Sequence, residues 1–476
     1  MKNGDLADIQ ITDLTSAGNG VGRCEGMVVF VPGSVPGDLV RVSVTGVSRN
    51  HAQARIIKVL VPSAERIEPP CKYAYKCGGC SFQFMSYASQ IKWKQTNVLE
   101  TLVRIGGSGR EYIESVMREI ISSDDPFRYR NKVQMPVGRD SSSSVAIGFY
   151  EYNSHKIVDG DSCLIQHGFA DKVRELFRKA ISDGLIEPYD EVSGNGLLRH
   201  LMIRIGYFTG QAMVVAVLSR KEFEGVSAIR DKIIMLAESE NIELTAYYAN
   251  INPVKGNTVL GDEFILLDQC GSGYIEEKIL GLTFRISPTA FFQVNTQMAS
   301  RLFAEVIEFS GLKGDEHVID LYCGTGSISL LLAGKCAKVT GIEIVERAID
   351  DARINAEING IDNVEFYCGR SEVLLPEFVS RGIRTDLIVL DPPRKGCERA
   401  VLDAMLQASP SKIIYVSCDP STLARDCRIL CGGGEYDISA VRPVDLFPWT
   451  GHTETVCLLE WGQSPHNKGL RTIYNM

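Results

Sequence analysis

Cys418 stands in Tyr415-Val416-Ser417-Cys418-Asp419-Pro420, just after the β-branched pair Ile413-Ile414. Asp391-Pro392-Pro393-Arg394 precedes it and Gly451-His452-Thr453-Glu454 follows it, each at the edge of a strand-like segment. A thiol with one carboxylate before it and one after can supply a nucleophile and a base. A reaction that needs both is alkylation of an uncharged pyrimidine at C5. That carbon is a poor nucleophile until a thiolate adds at C6, and its proton must then be removed. Taken alone, a cysteine at a strand terminus fits simple packing better, since free cysteine is often buried. The residues upstream reverse that balance.

Asp320-Leu321-Tyr322-Cys323-Gly324-Thr325-Gly326-Ser327 closes a strand that begins at His317. Its glycines let the backbone turn tightly and approach a ligand at the carboxyl edge of a sheet. The spacing is D-x-x-x-G-x-G, not the G-x-G-x-x-G of dinucleotide sites, and no P-loop lysine follows. Glu343 ends the next strand in Gly341-Ile342-Glu343, where it can accept bonds from two ribose hydroxyls. Asp320 is placed to orient the amino-acid end of the same molecule. With Asp391-Pro392-Pro393 on the fourth strand, these look like the S-adenosylmethionine site of class I methyltransferases.

The elements that must carry these residues alternate. From about 295 onward, strands at His317–Tyr322, Val339–Ile344, Val364–Tyr367, Leu387–Leu390 and Lys412–Ser417 are separated by helices or loops, with a final pair at Ala440–Leu446 and Thr455–Leu459. This predicts a doubly wound parallel sheet, an α/β domain over 287–463 followed by a tail over 464–476. Residues 63–286 read as an α+β domain, with helices near 90–104, 168–182 and 222–239. Residues 1–62 read as short strands parted by Pro32-Gly33 and Pro36-Gly37, a small β-barrel of the oligonucleotide-binding kind.

The chain has 476 residues, 45% hydrophobic and 23% charged, enough for several globular cores. Net charge is −9, which counts against bulk attraction to nucleic acid but not against a local basic face. Arg128, Arg130 and Lys132, around Tyr129 and Asn131, form one such patch; an exposed strand with solvated cations explains it equally well. No apolar leader or run of membrane-spanning length is present, so a cytoplasmic protein without membrane contact is expected. Among fourteen cysteines, Cys71-x5-Cys77-x2-Cys80 crowd one loop, and Cys163 offers a fourth thiol. Spacing alone leaves zinc, an iron–sulfur cluster and plain reduced thiols open.

The acceptor can then be narrowed. Enzymes that methylate adenine amines place an aromatic after the Pro-Pro pair, where this chain has Arg394. RNA cytosine-C5 enzymes carry a second cysteine in that motif, absent here. The combination resembles the RNA uracil-5-methyltransferase family. Residues 5–62 are similar to its TRAM barrel, Tyr129–Lys132 and Leu198-Arg199-His200 to two central elements, and Phe291-Phe292-Gln293-Val294-Asn295 to the motif ahead of its catalytic domain. The likeness is greatest to the iron–sulfur-containing large-subunit ribosomal RNA enzymes.

That resemblance implies Cys418 as nucleophile and Glu454 as base. Gln293, Tyr322, Glu343 and Asp391 would line the cofactor and base pocket, beside Asp320, Gly324 and Ser327. Ser327 departs from the asparagine of several relatives and can replace only part of an amide's hydrogen bonding. The resemblance further implies a [4Fe–4S] cluster on Cys71, Cys77, Cys80 and Cys163, and S-adenosyl-L-methionine as cofactor. The RNA partner would be ribosomal RNA, with transfer RNA as the alternative, and its target base extruded from the stack. A monomer with no obligatory protein partner is expected. A different class, a non-catalytic iron–sulfur RNA-binding or ribosome-assembly factor, is disfavoured by the intact Asp320, Glu343, Cys418 and Glu454.

Overall fold

Alternating apolar residues build the N-terminal barrel of the computed structural model. Its strands are β1 (Leu6–Leu14), β2 (Asn19–Cys24), β3 (Met27–Pro32), β4 (Leu39–Val47) and β5 (His51–Val61), closed in the order β1-β2-β3-β5-β4. Ile9, Ile11, Val29, Val31, Val40, Val42 and Val44 turn inward at period two and form one small core. The buried Asp38 carboxylate ties the turns below it, accepting bonds from Val35 N–H at 2.7 Å, Ser63 N–H at 2.8 Å and the Arg66 guanidinium at 2.6 Å. The structure describes residues 1–140, 142–267 and 271–462. The expected tail over 464–476 lies outside them.

The chain divides into two compact units. The first comprises Met1–Lys92, Asp124–Ile275 and Phe447–His452; the second comprises Trp93–Ser123, Glu276–Leu446 and the residues from Thr453. Besides the barrel, the first unit holds a sheet of β6 (Lys132–Arg139), β7 (Val145–Tyr150), β8 (Ile157–Asp159), β9 (Leu198–Ile205), β10 (Gln211–Leu218), β11 (Glu243–Ile251) and β12 (Glu263–Leu266), ordered β12-β11-β10-β9-β6-β7-β8. Only β10 and β11 pair in parallel. Helix Gly168–Ser182 lays Phe169, Val173 and Phe177 on this sheet. The helix expected over 222–239 is two pieces, Glu224–Ser227 and Arg230–Ser239.

In the second unit a hairpin of β13 (Ile275–Ile279) and β14 (Leu282–Ile286) leads to helix Thr296–Ser310 and then to the expected doubly wound sheet. Its strands are β15 (His317–Leu321), β16 (Lys338–Glu343), β17 (Val364–Cys368), β18 (Leu387–Leu390), β19 (Lys412–Ser417), β20 (Tyr436–Val444) and β21 (Glu454–Trp461). They lie in the order β17-β16-β15-β18-β19-β21-β20. The first five pair in parallel, and their near-continuous Val, Ile and Leu runs match strands buried on both faces. β21 enters antiparallel between β19 and β20. Helix Tyr87–Arg104 brings Val98 and Leu102 into this core, and Lys94 within it forms a fully buried ion pair with Asp445.

Candidate active site

Strand ends gather the site residues. Leu321 lies beside Ile342 on one side and Leu390 on the other, and Leu390 lies beside Tyr415. Asp320, Glu343, Asp391 and Cys418 therefore reach one carboxyl edge, around the β15–β18 boundary where chain order reverses. Open α/β sheets take their ligands at that point. Glu454 arrives by another route. β21 runs antiparallel to β19 with Ser417 opposite Thr455, so the next step sets Cys418 against Glu454.

The turn after β15 is left-handed at Tyr322 (φ 63°), Gly324 (54°) and Gly326 (82°). A Cβ on Gly326 would come within 3.0 Å of the Phe366 ring, so both backbone and space require glycine there. Tyr322 adopts this conformation without that freedom, and its phenol lies beside the Cys397 thiol. Glu343 is fixed at both oxygens, accepting Gly324 N–H at 3.2 Å and Val345 N–H at 2.9 Å. Ser327 opens helix Ser327–Ala333. Gln293 lies in the loop before helix Thr296–Ser310, which Asn295 caps by accepting Met298 N–H at 3.2 Å.

Asp320 is buried. Its Oδ2 accepts from the Ser329 hydroxyl at 2.5 Å, while Oδ1 has no hydrogen-bond partner among the described residues. Burial, with the negative charges of Asp391 and Glu343, pushes this carboxyl up to about 7. A buried acceptor without a donor costs free energy until one arrives. A ligand ammonium group would supply donor and countercharge together. This orphaned oxygen, the open glycine turn and the fixed Glu343 suit the amino-acid and ribose ends of an adenosyl amino acid.

The reactive groups share an acidic surrounding. Burial pushes the Cys418 thiol up to about 11, helped by the charges of Glu454 and Asp391 and opposed by Arg394. Burial pushes Glu454 up to about 8, with Asp391 adding and Arg394 again opposing. Asp391 is raised by burial. Arg394 and Ser329 have roles that the motifs did not assign. Arg394 was legible as the charged residue beside the Pro-Pro pair, whereas nothing in the spacing marks Ser329.

In the first unit, Cys71, Cys77, Cys80 and Cys163 share a neighbourhood. Burial raises Cys77 and pushes Cys80 up to about 12, and the charge of Cys163 adds to both. Cys77 Sγ accepts Gly79 N–H at 3.4 Å. Yet among the described residues no group of three or more His, Cys, Asp or Glu side chains is arranged to hold a metal ion. The closed four-thiolate site expected from the sequence is not formed by these side-chain positions.

Of the basic patch, Arg128 is committed internally. Its Nη1 donates to Cys163 O at 2.7 Å, Gln166 O at 3.0 Å and Asp171 at 3.0 Å. Arg130 Nε donates to Lys132 O at 3.1 Å. Lys132 is pushed down to about 7 by burial and by the nearby charges of Arg204 and Arg130.

Comparison with known proteins accords with this arrangement. Residues 192–461 match the family model for tRNA (uracil-5-)-methyltransferase, and residues 2–57 match the TRAM domain. An uncharacterized RNA methyltransferase of Clostridium tetani is 41% identical over 97% of this chain and 97% of its own length. Another from Listeria innocua is 41% identical over 96% of this chain and 98% of its own. The crystal structure of Pyrococcus abyssi tRNA (uracil-54, C5)-methyltransferase in complex with S-adenosyl-L-homocysteine superposes with a TM-score of 0.74 at 27% identity, covering 95% of this chain and all of that one. Among the described residues, no helix is long and apolar enough to cross a membrane. With more than half its length matched by the family model, this chain belongs to the tRNA (uracil-5-)-methyltransferase family and carries an N-terminal TRAM domain.

Proposed function

We propose that the protein methylates C5 of a uridine in RNA, using S-adenosyl-L-methionine and a covalent bond between Cys418 and C6 of the base. The observation that carries this reading is the pairing of β19 with β21, which sets Cys418 against Glu454 at the edge where Asp320 and Glu343 end. When bound, the cofactor supplies an electrophilic methyl group. Asp320 Oδ1 and the Glu343 carboxylate would hold its ammonium and ribose ends.

Cys418 begins as a thiol, since burial and the charges of Glu454 and Asp391 disfavour its anion. It loses its proton to Asp391 as sulfur adds to C6. The C5–C6 π electrons move onto the O4 enolate, and Arg394 offsets the negative charge that accumulates nearby. After C5 has gained the methyl group, Glu454 takes the C5 proton and the C6–S bond breaks, freeing the thiolate. Burial gives Glu454 a proton affinity suited to this step near neutral pH. Arg130 and Lys132 meet the RNA backbone, whose phosphate would restore the charge that burial takes from Lys132. Arg128 serves instead to hold the loop around Cys163.

Ribosomal RNA is the proposed substrate and transfer RNA the alternative. The support for the former is the joint presence of a TRAM barrel and the four-cysteine group. On this reading Cys71, Cys77, Cys80 and Cys163 close around a [4Fe–4S] cluster that orders the RNA-facing loops, with no redox step in methyl transfer. Their donor chemistry and the Gly79 N–H on Cys77 sulfur support it. The test is nucleoside mass spectrometry with site mapping on RNA from cells lacking the gene. Loss of one or more 5-methyluridines from ribosomal RNA is expected, loss from transfer RNA alone would reassign the substrate, and no loss from either would refute the activity.

A further inference from the structure

A buried polar chain lies behind the site, within the second unit. Tyr322, in the turn that would hold the cofactor, places its phenol beside Cys397 sulfur. The Cys397 thiol lies 3.8 Å from Tyr415 oxygen as donor, and Tyr415 O–H donates to Asp426 Oδ2 at 2.7 Å. From Cys397 onward the donors run toward a carboxylate that is wholly buried. The same Oδ2 accepts Cys397 N–H at 2.9 Å. Arg425 Nη2 donates to Lys395 O at 3.0 Å and Cys397 O at 3.3 Å, and Arg425 also pairs with Asp426 Oδ1 at 2.7 Å. The loop is pressed hard against this grip. Gly396 has φ 73°, and a Cβ there would lie 2.5 Å from Arg425 Nη2 and 2.7 Å from Asp426 Oδ2.

These contacts join three separate parts of the site. Asp391 and Arg394 sit on the loop that ends at Cys397. Tyr415 is on β19, three residues before Cys418, and Asp426 is on helix Pro420–Cys431, directly after it. Tyr322 belongs to the cofactor turn. We infer that Asp426, Tyr415 and Cys397 are positioning residues that strap the Asp391–Cys397 loop both to the cofactor turn and to the strand and helix flanking Cys418, so that cofactor binding and the setting of Arg394 at the thiol depend on one chain. This rests on the reading of Cys418 as nucleophile.

The discriminating pair is Cys397→Ser and Cys397→Ala in the full-length protein. A serine hydroxyl can donate to Tyr415 and offer an acceptor to the neighbouring Tyr322 phenol, whereas alanine can do neither. A site that only packs would tolerate alanine at least as well as a buried hydroxyl. Two readouts are taken without RNA, so neither depends on the substrate assignment: affinity for S-adenosylhomocysteine by calorimetry, and the pH profile of Cys418 alkylation followed by mass spectrometry of its peptide. For Cys397→Ala and Tyr415→Phe, affinity should fall about threefold or more, and alkylation should shift to higher pH, a change equivalent to about threefold at fixed pH for half a pKa unit. Cys397→Ser should stay near wild type in both. Equal behaviour of the serine and alanine variants, or wild-type values for Tyr415→Phe, would overturn the inference. Should Tyr415→Phe fail to fold, the Cys397 pair decides alone.

Discussion

Two groups of cysteines in this molecule are built on opposite principles. Cys418 ends a strand whose neighbours on both sides are hydrogen-bonded, so its surroundings are set by the register of β18, β19 and β21. Cys71, Cys77 and Cys80 lie in consecutive turns, and Cys163 lies in a loop before helix Gly168–Ser182. Burial raises the proton affinity of thiols in both places, to about 11 at Cys418 and about 12 at Cys80. What surrounds them differs. Cys418 faces carboxylates, which can move protons, and an arginine, which offsets their charge. The loop cysteines lie near one another, although their described positions do not form a metal-binding group. A reaction site can be preformed by a ladder, whereas a thiolate cage in a loop is completed by what it binds.

The sharpest break in this comparison comes from Cys418→Ala, which should abolish both covalent attachment to RNA and methylation. Glu454→Gln acts later in the same cycle. It should slow turnover by about 10²- to 10⁴-fold while an adduct carrying the transferred methyl accumulates, visible on a denaturing gel. Fast, adduct-free turnover by Glu454→Gln would hand the base role to another carboxylate.

The loop group should answer differently. Anaerobically purified protein should be brown and contain iron, and Cys77→Ser should remove the colour and the iron while S-adenosylhomocysteine affinity is kept. Colourless protein holding stoichiometric zinc would replace the cluster and leave the Cys418 chemistry intact.

A gentler probe is pH. Glu454 is raised to about 8 by burial and must be ionised to accept the C5 proton. Breakdown of the methylated adduct should therefore quicken as pH rises, by up to about tenfold per unit below pH 8, and level off above it. A profile flat from pH 6 to 9 would show that Glu454 is already ionised in the complex. The smallest effect is expected from Ser329→Ala, which strips the Asp320 carboxyl of its hydroxyl donor. A lost bond to a buried carboxyl group should weaken S-adenosylhomocysteine binding severalfold, about 1 kcal/mol, with Cys418 alkylation unchanged.

Much of this molecule was legible in one dimension. Turn residues at Pro32-Gly33 and Pro36-Gly37 marked off the barrel strands, and the Val- and Ile-rich runs near 318, 339, 387 and 413 marked a doubly wound sheet. Asp320, Glu343, Asp391 and Cys418 could be read as a set because each terminates such a run, and parallel strands carry their ends to the same edge. These are local facts: side-chain periodicity and turn chemistry depend on neighbours only a few residues away.

The rest required the third dimension. No local signal puts β21 between β19 and β20, yet that insertion is what places Glu454 at Cys418. Lys94 and Asp445 are 351 residues apart and meet in a fully buried ion pair. Arg128 reads as part of a basic face, but Cys163 O, Gln166 O and Asp171 claim its guanidinium. The sequence by itself determined which strands form, which residues end them and hence the chemistry available. The tertiary structure alone decided which of those ends touch, how far each acid is desolvated and which cations are already spent. The physical reason is that pairing register and burial arise from contacts between distant segments, and a pKa follows the field of whatever those contacts bring near.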